Sequence, residues 1–144
     1  MSLNALVYSN RAALDIDVER LGAVKDDRTG EYYFPSPEHD GKFPREAFIA
    51  CEFWIGNVLS VAGLRHEIVA VTGKENSLLQ TKCLYSGSHS GDVIEIEQLP
   101  ALEFEIRDLL QQQLPRSSNL PSFLSGMQQL IEAAKKENNP IVFV

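Results

Sequence analysis

The chain has 144 residues, of which 44% are hydrophobic and 23% are charged, and its formal net charge is −7 at pH 7. This length and balance predict a single soluble globular domain over residues 1–144. The negative charge argues against a nucleic-acid-binding protein, because neutralising phosphates requires clustered Lys and Arg.

The first predicted elements are strands and turns. Leu3 to Tyr8 is a short apolar run followed by Ser9 and Asn10, which favours a strand. Farther on, the segments LGAV and EYYF flank KDDRTG, whose final glycine, Gly30, can adopt a positive φ angle. This pattern predicts a hairpin. Residues 35–44 contain three prolines and few apolar groups, which indicates an exposed loop.

A long helix is predicted from Arg45, and its expected boundary is either a break near Gly63 or an end by Thr72 and Gly73. Its apolar residues recur at spacings of three and four, namely Phe48, Cys51, Ile55, Leu59 and Ala62. Gly56, Ser60 and Gly63 have the same spacing, so they predict a stripe of small residues that another backbone could approach closely. Trp54 is expected to anchor the core, with its indole N–H bonded to a partner.

Two strands are then predicted on either side of the loop YSGSHSGD, residues 85–92. Polar and apolar residues alternate over 78–85 and again over 92–97, as expected for half-buried strands. Ser88, Ser90 and Asp92 can bond nearby backbone groups, so the simplest interpretation of this segment is a structured connection within a hairpin.

The last third predicts two helices and a strand. A leucine-rich helix begins near Pro100, residues 114–121 form a linker, and a second amphipathic helix follows until Asn138 and Asn139. The run from Ile141 to Val144 predicts a buried terminal strand. The order of elements predicts an α+β fold, with one largely antiparallel sheet covered by about three helices.

Neither a metal nor a cofactor site is predicted. Cys51 and Cys83 lie in apolar runs without a CxxC motif, so both are expected to be reduced thiols, although a disulfide between them is the alternative. His39 and His66 lack metal-ligand spacing. The N-terminal stretch has no apolar core of signal-peptide length, and no apolar run spans a membrane, so we expect a cytoplasmic protein that binds no membrane.

The loop YSGSHSGD also invites a catalytic interpretation. Ser88, His89 and Ser90 are neighbours, and neighbouring side chains of an extended chain point in opposite directions, which disfavours a serine nucleophile activated by His89. Asp92 at the end of the loop and Glu95 after it would repel a phosphate. A non-enzymatic protein is therefore expected. The alternative is a small enzyme or ligand-binding domain with a pocket near Ser88 and His89.

Several short motifs together resemble a family of small immunity proteins from bacterial polymorphic-toxin and contact-dependent growth inhibition systems. They are WIGN at 54–57, YSGSHSGD at 85–92, the leucine-rich helix that follows, and NPIVF at 139–143. The resemblance covers about residues 29–144. It implies a cytosolic, non-enzymatic antidote that binds one cognate toxin domain, commonly a nuclease, and blocks its active site or substrate path. Surfaces facing the toxin diversify within such a family.

The distribution of acids suggests where a basic toxin would bind. Residues 15–40 carry eight acids against three bases, and residues 92–108 carry six against one. Such localised charge can steer a basic partner, although a solvated surface is the simpler explanation for each acid. The candidate partner-binding residues are Asp26, Asp27, Glu31, Glu38, Asp40, Ser88, His89, Asp92, Glu95 and Glu97. The oligomeric state is not predicted.

Overall fold

The fold is described from a computed structural model that covers residues 1–10, 14, 17–39 and 42–144. Its strands and helices, in chain order, are β1 (Ser2–Tyr8), β2 (Val24–Lys25), β3 (Tyr32–Tyr33), β4 (Ile49–Asn57), α1 (Val58–Thr72), β5 (Val93–Ile94), α2 (Leu99–Leu110), α3 (Leu120–Glu137) and β6 (Ile141–Phe143). Short 3-10 turns lie at Pro37–His39, Arg45–Phe48 and Ile96–Gln98, and a π-helical turn lies at Leu79–Cys83. This is the predicted α+β class.

Four strands form an antiparallel sheet in the order β4-β1-β6-β5, and β2 pairs with β3 in a separate hairpin. The predicted hairpin is confirmed. In its turn, Asp26 Oδ1 accepts hydrogen bonds from the backbone N–H groups of Arg28 and Thr29, at 2.8 and 2.9 Å. Gly30 has a φ of 80°, which a residue with a Cβ rarely adopts.

The sheet buries both of its faces around β1. Leu3, Ala5 and Val7 pack into the main core with the three helices, whereas Leu6 and Tyr8 belong to a smaller cluster on the opposite face. This alternation follows directly from the period of two along a strand. The central strands β1 and β6 are therefore buried throughout most of their length.

The helix predicted from Arg45 is wrong over its first half, because residues 49–57 form strand β4, paired with β1. Cys51, Phe53 and Ile55 alternate inward, so the same apolar residues satisfy a period of two as well as one of 3.6. The helix begins only at Val58, after Asn57 Oδ1 accepts a hydrogen bond from the N–H of Ser60 at 2.9 Å. Of the two predicted boundaries, the helix has the later one: it continues through Gly63 and ends at Thr72, where Gly73 adopts a left-handed conformation.

The strand predicted over 78–85 is also wrong. Residues Leu79–Cys83 form a π-helical turn, and Leu79, Cys83 and Leu84 are buried on it. Both carboxylate oxygens of Glu105 in α2 accept hydrogen bonds from the start of this turn, from Leu78 N–H at 2.7 Å and Leu79 N–H at 3.1 Å. The Glu105 side chain thus satisfies two backbone donors, which favours the turn over a strand. On the other side of the loop, only Val93–Ile94 forms a strand.

Two further expectations about the segment 45–73 fail. Trp54 is 59% exposed and does not anchor the core. The stripe of Gly56, Ser60 and Gly63 does not exist as one helical face, because Gly56 belongs to β4.

The remaining elements agree with the sequence predictions. Helix α2, the linker, helix α3 and strand β6 lie where expected, and Cys51 and Cys83 are free thiols. Burial raises the pKa of the Cys83 thiol, and the nearby Glu105 carboxylate raises it further. This thiol therefore stays protonated. Within the described ranges, every helix is too short or too polar to cross a lipid bilayer.

Candidate functional site: an exposed apolar patch

Three large apolar side chains that are close together in the sequence are exposed where β4 turns into α1. Trp54, Val58 and Leu59 are 59%, 50% and 81% exposed, and we refer to them as the apolar patch. Pairing with β1 fixes the backbone of β4 at Trp54, and the Asn57 cap fixes the first turn of α1. The patch therefore consists of hydrophobic side chains presented by regular elements, as in many protein interaction surfaces.

The loop YSGSHSGD packs beside the apolar patch. A Cβ atom placed on Gly87 would lie 2.7 Å from the Cα of Val58, so the loop backbone touches the start of α1. Farther along the helix, Arg65 Nη1 donates a hydrogen bond to the backbone carbonyl of Tyr85 at 3.3 Å. The exposed side chain of Ser88 thus belongs to the same region of the surface as the patch.

A Gly87→Ala substitution is expected to destabilise the fold by about 1–3 kcal/mol, because the new methyl group would overlap the backbone of α1. Gly63→Ala is the matched control. A Cβ there meets nothing within 4 Å, and replacing a helical glycine adds up to about 1 kcal/mol of stability. Urea unfolding monitored by circular dichroism compares the two variants. Equal stability of both would contradict the close contact between the loop and α1.

His89 is buried, with only 7% of its surface exposed. Its ring packs between Tyr85 and Phe143, with ring centroids 4.5 and 4.4 Å away. Nε2 lies 2.9 Å from the carbonyl oxygen of Cys83, and because a carbonyl only accepts, Nε2 carries the proton. Nδ1 lies 3.5 Å from Asp92 Oδ2 and has no hydrogen-bond partner among the residues that the structure describes. Neither ring nitrogen bonds a serine hydroxyl, so His89 packs as a core residue.

The stability of the protein is expected to fall as His89 takes up a proton. Burial lowers the pKa of His89 below its ordinary value of 6.5, whereas its hydrogen bond to Cys83 opposes the shift. Below pH 6.5 the unfolded chain therefore binds more protons than the folded protein. The stabilisation is complete above pH 6.5 and is lost as the pH falls toward the folded pKa.

Unfolding free energies measured from pH 8 to pH 5 test this expectation against His89→Gln, which cannot titrate. Below pH 6.5 the native protein should lose stability more steeply than the variant, by at most about 1.4 kcal/mol per pH unit. Parallel pH profiles would show that the proton on His89 is not coupled to folding.

The first group of predicted acids lies on the β2–β3 hairpin and the segment after it. Asp27 and Glu38 are exposed, and Asp40 lies outside the described residues. Asp26 caps its own turn, and the bonds from Thr29 and Arg28 lower the pKa of its carboxyl group. Glu31 is half-buried. The pKa of Tyr8 is raised by the burial of Tyr8 and also by the negative charge of Glu31. Asp26 and Glu31 thus have structural contacts as well as charge.

The second group of predicted acids begins at the last residue of the loop YSGSHSGD. Asp92 is half-buried, and its carboxylate accepts a hydrogen bond from the Tyr85 hydroxyl. Glu95 is exposed and forms a capping box with Gln98, which leaves Glu97 as an exposed acid on a short 3-10 turn. Of the three, Glu97 is the best placed to act only through its charge.

A groove of about 480 Å³ lies next to the apolar patch. Its walls come from the end of β4, the first half of α1 and the start of α3. They comprise Phe53, Trp54, Ile55, Leu59, Ser60, Gly63, Leu64, Glu67, Asn119, Ser122 and Phe123, and we call this space the Gly63 groove. Glu67 accepts bonds from Ser118 Oγ and Asn119 N–H, at 3.2 and 3.4 Å.

A second groove of about 580 Å³ lies between the end of α1 and α2, with the exposed Phe104 at its wall. Neither groove includes Ser88 or His89 in its walls. The interior packing of His89 and the position of both grooves give no support to a pocket at these two residues.

The sequence pattern does not predict the apolar patch, because it places Trp54 and Leu59 on a buried helix. The alternation of Ala50, Glu52 and Trp54 with Cys51 and Phe53 was the available signal, since it places Trp54 on the same side as a charged residue. The search of protein-family profiles, of characterised proteins and of solved structures found no match to this chain.

Proposed function

We propose that this protein neutralises a cognate bacterial toxin domain in the cytoplasm by stoichiometric binding through the apolar patch. The observation that carries the proposal is the exposure of Trp54, Val58 and Leu59 on fixed secondary structure. Tryptophan is enriched among the residues that dominate binding energies, and rigid presentation lowers the entropy lost on association.

The location of the patch also favours the toxin as the partner class. Two of the motifs that resemble immunity proteins, WIGN and YSGSHSGD, are distant in sequence. They meet in space, because Val58 directly follows the first motif and Gly87 of the second packs on it. Residues that carry the resemblance therefore surround the patch.

Charge supports the same partner. The chain is acidic, and exposed acids such as Asp27, Glu38 and Glu97 would attract a toxin with a basic nucleic-acid cleft. Rim charges of this kind mainly accelerate association and lose their effect as salt increases.

Co-expression with the toxin domain encoded beside this chain's gene tests the proposal. We expect growth to be restored and a 1:1 complex to be purified. A catalytically inactive toxin variant would allow the complex to be isolated without selection for growth. Absence of both rescue and complex would reject the proposed function.

A further inference from the structure

We propose that the Gly63 groove receives a large apolar side chain of the toxin domain, flanked in the same toxin segment by a Lys or Arg residue that faces Glu67. This inference rests on the proposed function and specifies the chemistry of its partner. It adds a defined receiving site to the exposed patch.

Gly63 leaves the α1 wall of the groove without a side chain. A Cβ at this position meets nothing within 4 Å, whereas one at Gly87 or Gly126 would collide with Val58 or Phe53. Packing within the chain therefore accounts for the absence of a side chain at Gly87 and Gly126 but not at Gly63. Glycine inside a helix costs about 1 kcal/mol relative to alanine, and binding of a partner against the open surface of α1 would offset this cost.

The groove has the size and lining of an anchor site. Its volume of about 480 Å³ can hold an aromatic or branched aliphatic side chain with part of its backbone. Exposed Trp54 and Leu59 form the rim, while Phe53 and the buried Phe123 form part of the inner wall. An inserted apolar side chain would remove both rim residues from water, which is the main source of binding energy at such sites.

Charge complementarity selects a basic segment. Glu67 lies in the groove wall. None of the described residues that line the groove is Lys or Arg. A second copy of this acidic chain would bring like charges together, which is unfavourable, whereas Lys or Arg beside the anchor would pair with the Glu67 carboxylate. The exposed face of Trp54 also suits a cation.

Gly63→Leu tests the groove by filling it. The new side chain enters open space on α1, so the circular dichroism spectrum should be unchanged and the unfolding midpoint should be the same or higher, since a helical glycine is replaced. The affinity for the toxin domain, measured by calorimetry, should fall at least tenfold. Ala62→Leu is the matched control, because Ala62 is an exposed neighbour on α1 outside the groove, and its affinity should be unchanged. Wild-type affinity of folded Gly63→Leu would overturn the inference.

A synthetic probe separates this inference from the proposed function. An acetylated hexapeptide of alternating leucine and lysine should shift the NMR signals of the Trp54 indole and the Gly63 amide. The same peptide with glutamate in place of lysine should not shift them, and Gly63→Leu should lose the response.

If the toxin domain does not bind but the lysine peptide still causes the shifts, the toxin would be rejected as the partner. The groove would still be shown to prefer an apolar segment with basic residues. No shift with either peptide, or equal shifts with both, would overturn the inference even if the toxin bound elsewhere. Sedimentation that showed a dimer of the native chain and a monomer of Gly63→Leu would assign the groove to a second copy and would also overturn it.

Discussion

A Phe143→Ala variant is expected to lose about 3–5 kcal/mol of its free energy of unfolding. Phe143 is fully buried in β6, where its backbone pairs with Ala5 of β1 and its ring packs against His89. Truncation would leave a cavity at the contact between the sheet and the loop YSGSHSGD. Since small domains are stable by only about 5–15 kcal/mol, this one change would remove a large share of the total.

Urea denaturation measures the loss, with Phe104→Ala as the matched control. Phe104 is 73% exposed on α2, so the same truncation there should change stability by less than about 0.5 kcal/mol. If Phe143→Ala is too unstable to purify, Phe143→Leu keeps more of the volume and should show a smaller loss. Equal effects at positions 143 and 104 would contradict the buried position of β6.

A Trp54→Ala variant is expected to weaken binding of the toxin domain by at least about 2 kcal/mol, or roughly thirtyfold in Kd. Trp54 contributes to both the apolar patch and the rim of the Gly63 groove. Because Trp54 is exposed, the substitution should change the free energy of unfolding far less than the free energy of binding. The effect should appear mainly as faster dissociation, because apolar contacts act after the encounter.

Calorimetry and a kinetic binding assay check this result, again with Phe104→Ala as the control. Phe104 is an even more exposed aromatic residue that lines the other groove, so its removal should leave the affinity within about twofold. A loss of affinity for Phe104→Ala but not for Trp54→Ala would move the interface to α2.

Much of the fold could be predicted from local sequence. Helices α2 and α3 have clear periodic apolar faces with Pro at their starts, and β6 is a short apolar run after a helix terminus. The hairpin turn was visible because Asp26 and Gly30 have specific roles in turn geometry. These features depend on residues within a few positions of each other.

The two wrong assignments depend on contacts with distant residues. Residues 49–57 fit helix and strand periods equally, and only pairing with β1 selects the strand. The turn at Leu79–Cys83 is capped by Glu105, 26 residues after Leu79, which no local pattern reveals. The exposure of Trp54 follows from the pairing of β4 with β1. The burial of His89 follows from the turn, since its ring bonds to the carbonyl of Cys83. The acidic segments, by contrast, are visible in the sequence. The hydrogen bonds that some of these acids form within the fold are not.

Hydrogen–deuterium exchange of the protein alone and in complex with the toxin domain is the most direct test of the proposed interface. We predict slower exchange of backbone amides in residues 52–63 and 85–90, with little change on the exposed side of α2. Protection confined to α2 or to the β2–β3 hairpin, with exchange at 52–63 and 85–90 unaltered, would contradict binding through the apolar patch.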